Sequence, residues 1–239
     1  MKRLICIVAF LATVTGLSNL VWAYSLVPSP RVCTEFFRAD LVISAKVTGE
    51  TIVYGPNDTG GEVIYSIDSI KEYRGNSSGL GQLRTMLNSG RAILDVGQSY
   101  LLFAKHWKSE VFPDEEGYYI GGGGNSAPLS ESTNTIAQIW KMIGNHRTAT
   151  TGNIRGFVKV YKVRQLEGLL FTATSGHAQF SAKADTKGWF EFDVPPGVYQ
   201  IESEASQDLT MFDLSYDDPH RLEVKAGECS EVAFVDWRN

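Results

Sequence analysis

The chain has 239 residues, room for one large or two ordinary domains, with 22 Lys and Arg against 27 Asp and Glu. Its net charge of −5 argues against nucleic acid or an anionic membrane surface as the partner, and it favours solubility. The three cysteines include no Cys-x-x-Cys pair, which argues against a structural zinc site.

Lys2 and Arg3 precede the apolar run Leu4–Leu11, and Val21-Trp22-Ala23 places small residues at the −3 and −1 positions of a cleavage site. Residues 1–23 therefore read as a signal peptide, because the apolar run is shorter than the about 20 residues of a membrane-spanning helix. No lipobox cysteine follows, so the expected product is exported, soluble, and secreted or periplasmic, without an integral membrane span. Losing Lys2 and Arg3 moves the net charge from −5 to −7. Only Cys33 and Cys229 remain, either as a disulfide in an oxidising compartment or as two separate buried thiols.

The first block spans 24–147. Leu41–Val47 reads as a strand, Glu62–Ile70 alternates as a second, Gln82–Leu87 is a third and Ser99–Ala104 is a short buried strand. Between the second and third, Asn76–Gly81 forms a Ser/Gly loop. Ile136, Ile139, Trp140 and Ile143 recur at helical spacing after the caps Ser130 and Ser132, and Gly144 is expected to stop that helix. Strands followed by one amphipathic helix predict a small closed barrel plugged or flanked by it.

Residues 148–152 read as a polar linker. The second block, 153–239, is predicted all-β, with strands at Ile154–Tyr161, Gly176–Ala184, Gly188–Val194, Val198–Ser203, His220–Val224 and Ser230–Asp236. An Asp185–Gly188 turn opens the third of these. Pro195-Pro196-Gly197 then predicts a tight hairpin, with proline presetting φ and glycine accepting a positive one.

The sequence carries no set of catalytic, cofactor or metal residues. His106, His146, His177 and His220 show no catalytic or metal spacing and read as surface groups. Ser126, Ser132 and Ser175 lie in no Gly-x-Ser-x-Gly elbow, and Gly121–Gly124 lacks the Lys-Ser/Thr of a phosphate loop. Asp208, Asp213, Asp217 and Asp218 fit no calcium loop and read as a solvated connection. Asn57-Asp-Thr59 and Asn76-Ser-Ser78 are sequons that by composition are turns. The candidate ligand-binding groups are the aromatics Trp107, Tyr118 and Tyr119, expected on a barrel loop, with packing against the barrel as the plainer reading.

Two resemblances bear on this pattern. Gly156-Phe-Val158, Thr186-Lys-Gly188-Trp-Phe190, Pro195-Pro196-Gly197-Val-Tyr199 and Leu222-Glu-Val224 with Ala226-Gly227-Glu228 resemble the carboxypeptidase-regulatory-like, transthyretin-type sandwich family. Cys33, Ala39-Asp40-Leu-Val-Ile43, Tyr65–Tyr73 with Gly75, Val96–Phe103 and the helix after Pro128-Leu129 resemble the netrin-type barrel shared with tissue inhibitors of metalloproteinases. Together they imply an OB-like barrel with one C-terminal helix, followed by a transthyretin-like sandwich.

The resemblance also implies binding or scaffolding outside the cell or in the periplasm, without enzymatic activity, toward a protein or glycan partner. The alternatives are an inhibitor or regulator of an extracellular hydrolase, and a carbohydrate-binding module. Inhibitors of the family chelate the protease zinc through an N-terminal cysteine. With cleavage after Ala23, Cys33 lies ten residues in and has an ordinary peptide nitrogen, so that mechanism is not expected.

Overall fold

A computed structural model describes residues 30–55, 60–109, 111–112, 115–160, 166–204, 210–213 and 221–236. The predicted leader 1–23, the sequon at Asn57, and Asp208, Asp217, Asp218 and His220 lie outside the described residues.

Runs of buried side chains open the strands Leu41–Tyr54 and Gly61–Arg74 and fill the first half of Ser99–Lys108 in the first sheet. β1 (Leu41–Tyr54) pairs antiparallel with β2 (Gly61–Arg74), which pairs antiparallel with β3 (Gln82–Met86). β3 runs parallel to β5 (Glu116–Tyr119), and β5 pairs antiparallel with β4 (Ser99–Lys108). β4 returns to β1 through Leu41↔Ala104 to Lys46↔Ser99, so the five strands close into a ring. Leu41, Ile43, Ala45, Val47, Val63, Tyr65, Leu83 and Leu102 fill its interior.

The opposite face of β1 and β4 is apolar as well. Val42, Leu101 and Phe103 point outward there and meet two helices, α1 (Val32–Arg38) and α2 (Thr133–His146), through Phe36 and Ile139. The helix predicted from Ile136–Ile143 thus flanks the ring. It runs past Gly144 to His146, since a single glycine costs an otherwise well-packed helix only about 1 kcal/mol. Ser132 occupies the N-cap position without capping, because its hydroxyl donates to the Pro128 carbonyl at 2.9 Å. A short strand β6 (Ala127–Pro128) and a 3₁₀ turn (Leu129–Glu131) lead into α2. The helix α1 and the strands β5 and β6 were not foreseen from the sequence.

The remaining strands form two four-stranded sheets in a sandwich-like arrangement. One has the order β10 (Trp189–Val194), β7 (Gly152–Val160), β14 (Cys229–Asp236), β12 (Thr210–Asp213). The other has β13 (Leu222–Val224), β11 (Gly197–Ser203), β8 (Leu170–Ser175), β9 (Ala178–Lys183). All pairings are antiparallel except β14 with β7. Phe171 stacks on Phe190 at 3.8 Å between ring centroids, and Phe234 lies 5.0 Å from Phe171. The Phe190 ring lies against Gly156, where a Cβ would collide with it. Asp213, expected in a connection, has its backbone in β12.

The Pro195-Pro196-Gly197 segment is not a hairpin. It reverses the chain, but β10 and β11 belong to different sheets, so the segment crosses between layers. Two consecutive prolines have no N–H to donate into a hairpin ladder, and Gly197 does not take a positive φ. The crossing is held by the Tyr199 hydroxyl, which donates to the Pro195 carbonyl at 2.7 Å. The Asp185 turn does form: Asp185 Oδ1 accepts from the amides of Lys187 and Trp189, and Gly188 takes φ 84°. Those amide donors hold the exposed Asp185 carboxyl below its usual pKa.

Candidate functional site

The two mature-chain cysteines meet. Cys33 on α1 and Cys229 at the start of β14 form a disulfide with 5.7 Å between Cα atoms, across a sequence separation of 196 residues. It ties the ring's first helix to the sandwich.

Arg31, just before α1, builds a polar junction around that bond. Its guanidinium donates to Asn153 Oδ1 at 2.7 Å and Glu191 Oε1 at 3.0 Å, and its Nε lies 3.2 Å from Glu231 Oε1. Its backbone N–H donates to Glu231 Oε2 at 2.9 Å. Burial lowers the guanidinium pKa, and Glu231 and Glu191 oppose that shift. A mostly buried charge is tolerable only with such partners, so the cluster also fixes the relative placement of α1, β7, β10 and β14.

Glu35, one turn further along α1, reaches the other way. Its Oε2 accepts from both the backbone N–H and the side-chain Nδ2 of Asn125, each at 2.6 Å. A Cβ on Gly124 would strike the carboxylate, so the glycine-rich segment packs against α1 instead of holding an open phosphate loop. Beside the disulfide, Phe37, Arg38, Arg221, Leu222, Glu223, Lys225 and Glu228 line a cleft of about 520 Å³ with charges of both signs. His146 stacks on Phe37 nearby and lies 3.7 Å from Glu228.

Burial pushes the Glu35 carboxyl pKa up, against the pull of the two Asn125 donors. A folded-state pKa above the unfolded one means a stabilising contribution complete below the ordinary glutamate range and lost as pH rises through the raised value. Glutamine keeps an oxygen acceptor and removes the titration. The stability of Glu35→Gln relative to wild type is therefore expected to increase between about pH 4 and pH 7, read from urea midpoints. A difference that stays constant over that range contradicts it.

The aromatics expected on a loop lie on paired strands. Trp107 is on β4 and is 51% exposed; Tyr118 and Tyr119 are consecutive on β5 and so point to opposite faces. Tyr118 meets His106 edge-on at 5.3 Å and packs against the ring interior. Tyr119 instead donates from its hydroxyl to Glu62 Oε1 at 2.6 Å. The three side chains therefore do not form one platform.

Glu62 is the centre of a second polar cluster. It is fully buried, accepts from the Arg84 guanidinium at 2.9 Å, and takes a short hydrogen bond from the Ser109 hydroxyl. Arg84 also reaches Glu115 at 2.5 Å. Burial, then the bond to Glu62, raise the Tyr119 pKa. The Ser109 oxygen accepts the amides of Val111 and Phe112, so Glu62 anchors the connection between β4 and β5.

Sequence reading missed Arg31, Glu35, Glu62 and Glu231. The one signal available for Glu62 was a charged residue opening an otherwise alternating apolar strand. Among the described residues no group of three or more His, Cys, Asp or Glu is poised to hold a metal ion. Nor is any described helix long and apolar enough to cross a membrane.

No family model matches the chain, and no curated protein matches it. Among solved structures it is similar to the Bacillus anthracis TIE protein, with 12% identity and a TM-score of 0.27 over 82% of this chain. The match spans 40% of that protein's length. A likeness this slight carries no argument, and the functional reading rests on the chain's own geometry.

Proposed function

We propose that this is an exported, non-enzymatic binding or scaffolding protein of the cell exterior or periplasm, acting on a protein or glycan partner. It combines an OB-type, netrin-like barrel with a transthyretin-like sandwich. The observation that carries the reading is the Cys33–Cys229 disulfide set inside the Arg31 cluster. A bond of this kind persists in an oxidising compartment, which supports export. It also links two β bodies covalently, which suits a molecule that presents a surface.

Two further features support the family assignments. The ring order β1-β2-β3-β5-β4, with β3 and β5 parallel and β1 shared between β2 and β4, fits a five-stranded OB-type barrel. The Asp185 turn followed by the Pro195–Tyr199 crossing fits the sandwich family's motif.

The test is capture of the tagged protein, after cross-linking, from the external fraction of its own cell, with mass spectrometry of its N-terminus. The expected result is an N-terminus at Tyr24 and one enriched protein or glycan partner. Retention in the cytoplasm with free Cys33 and Cys229 thiols, or a hydrolase activity traced to one side chain, would overturn the reading.

A further inference from the structure

β1 changes partners along its length. Its first part is sandwiched between β2 and β4, but the pairing with β4 stops at Lys46↔Ser99. Val47 still exchanges hydrogen bonds with Gly97 and Gln98, and a bulge follows between Val47 and Gly49. Beyond it, β1 continues to Tyr54 with β2 as its one strand partner among the described residues.

The register shows which main-chain groups face outward there. Leu87 donates to the Gly61 carbonyl and Ile67 donates to that of Gly81, so odd-numbered residues of β2 turn toward the β3 side. Even-numbered Glu62, Ile64 and Ser66 therefore turn toward β1, opposite Val53, Thr51 and Gly49. Glu50, Ile52 and Tyr54 alternate with those and direct their N–H and C=O groups away from β2. The free groups thus lie on a stretch rich in β-branched and aromatic residues, with neither Lys nor Pro, the residues that commonly blunt an edge strand. Ile52 is 44% exposed and Tyr54 is 67% exposed.

We propose that two copies of this chain pair antiparallel through the outer edge of β1 over Glu50–Tyr54. A two-fold axis at Ile52 sets Ile52 against its own copy and Glu50 against Tyr54, forming about six main-chain hydrogen bonds. Glu50 carries the stretch's one charge, and in this register it never faces itself across the pair; it faces a tyrosine hydroxyl instead. Ile52 and Tyr54 of both copies fall on one face and cover each other. β1 is long enough to place Tyr54 about 40 Å from Leu41. The helices and the sandwich gather around the Leu41 end, where Arg31 and Cys33 attach α1 to β7 and β14. The described body of the chain therefore leaves the far end of β1 accessible to a second copy.

Sedimentation velocity of the full mature protein, from micromolar to millimolar concentration, is the test. Wild type is expected to form a dimer as concentration rises, and Ile52→Pro and Ile52→Lys are both expected to lose it. Ile52→Pro removes an N–H that β2 does not use, so its circular dichroism is expected to match wild type. If the proline variant fails to fold, Ile52→Lys decides through side-chain charge alone. A wild type that stays monomeric throughout, including one whose edge is filled by a strand of another protein, overturns the proposal. So does a dimer that survives in a folded variant.

Discussion

Cys33→Ser is expected to lower stability by up to about 5 kcal/mol and to split one melting transition into two. The size follows from the loop: a bond across a sequence separation of 196 residues removes much of the unfolded chain's freedom, and denatured-state structure makes that figure an upper bound. The splitting follows from geometry. Without the bond, the ring and the sandwich are joined by the segment between α2 and β7, the Arg31 cluster and the His146–Glu228 contact. Those interactions are partly solvent-exposed and worth far less than a covalent link. Differential scanning calorimetry reads both effects, and reductant added to wild type should reproduce them. A single unshifted transition in the variant would show that the bond does not hold the two bodies together.

Glu62→Leu is expected to cost about 3–5 kcal/mol in denaturant titration. The carboxylate accepts from Arg84, Tyr119 and Ser109 in a fully buried position, so its loss strands two hydroxyl donors and a largely buried guanidinium. Glu115 reaches Arg84 from the half-exposed side and recovers a fraction of that. The double variant Glu62→Leu/Arg84→Met is expected to regain most of the loss, because the uncompensated charge is gone. The connection that Ser109 anchors should become more sensitive to protease in the single variant. Equal stability of Glu62→Leu and wild type would mean that the cluster contributes nothing.

The sequence conveyed the mostly β character and the larger elements. β2, β10, β11 and α2 announce themselves through period-two or helical spacing of apolar residues, and β1 and β4 through short apolar runs, signals that depend only on neighbours a few positions apart. β8 is missing from the predicted strands: Leu170–Ser175 joins β9 across only Gly176 and His177, and the strand predicted there begins at Gly176. Gly176, with φ 57°, is the local mark of that turn. The Pro195–Gly197 segment misled for the opposite reason: its turn chemistry is real, but a turn's residues do not say whether the next strand joins the same sheet.

The site was less legible still. Cys33 and Cys229 were the candidate pair once export was assumed, with two separate buried thiols as the open alternative. Arg31, Asn153, Glu191 and Glu231 lie far apart in the chain, and no local spacing brings them together. The strand alternation that separates Tyr118 from Tyr119 was available in principle, but only after those residues were recognised as a strand and not a loop.

The parallel pairing of β14 with β7 also constrains the order in which the molecule can be made. β7 opens the sandwich and β14 comes almost last, yet β14 lies between β7 and β12 at the middle of its sheet. During synthesis the ring strands can pair as they appear, whereas β7 must wait with one long edge bare until β14 has been made. Such late, non-local closure is slow and leaves Phe157 and Val158 open to wrong partners in the meantime. A chain stopped before Cys229 would therefore lose the centre of a sheet together with its covalent tie, and would emerge as a finished ring trailing an unfinished, aggregation-prone sandwich.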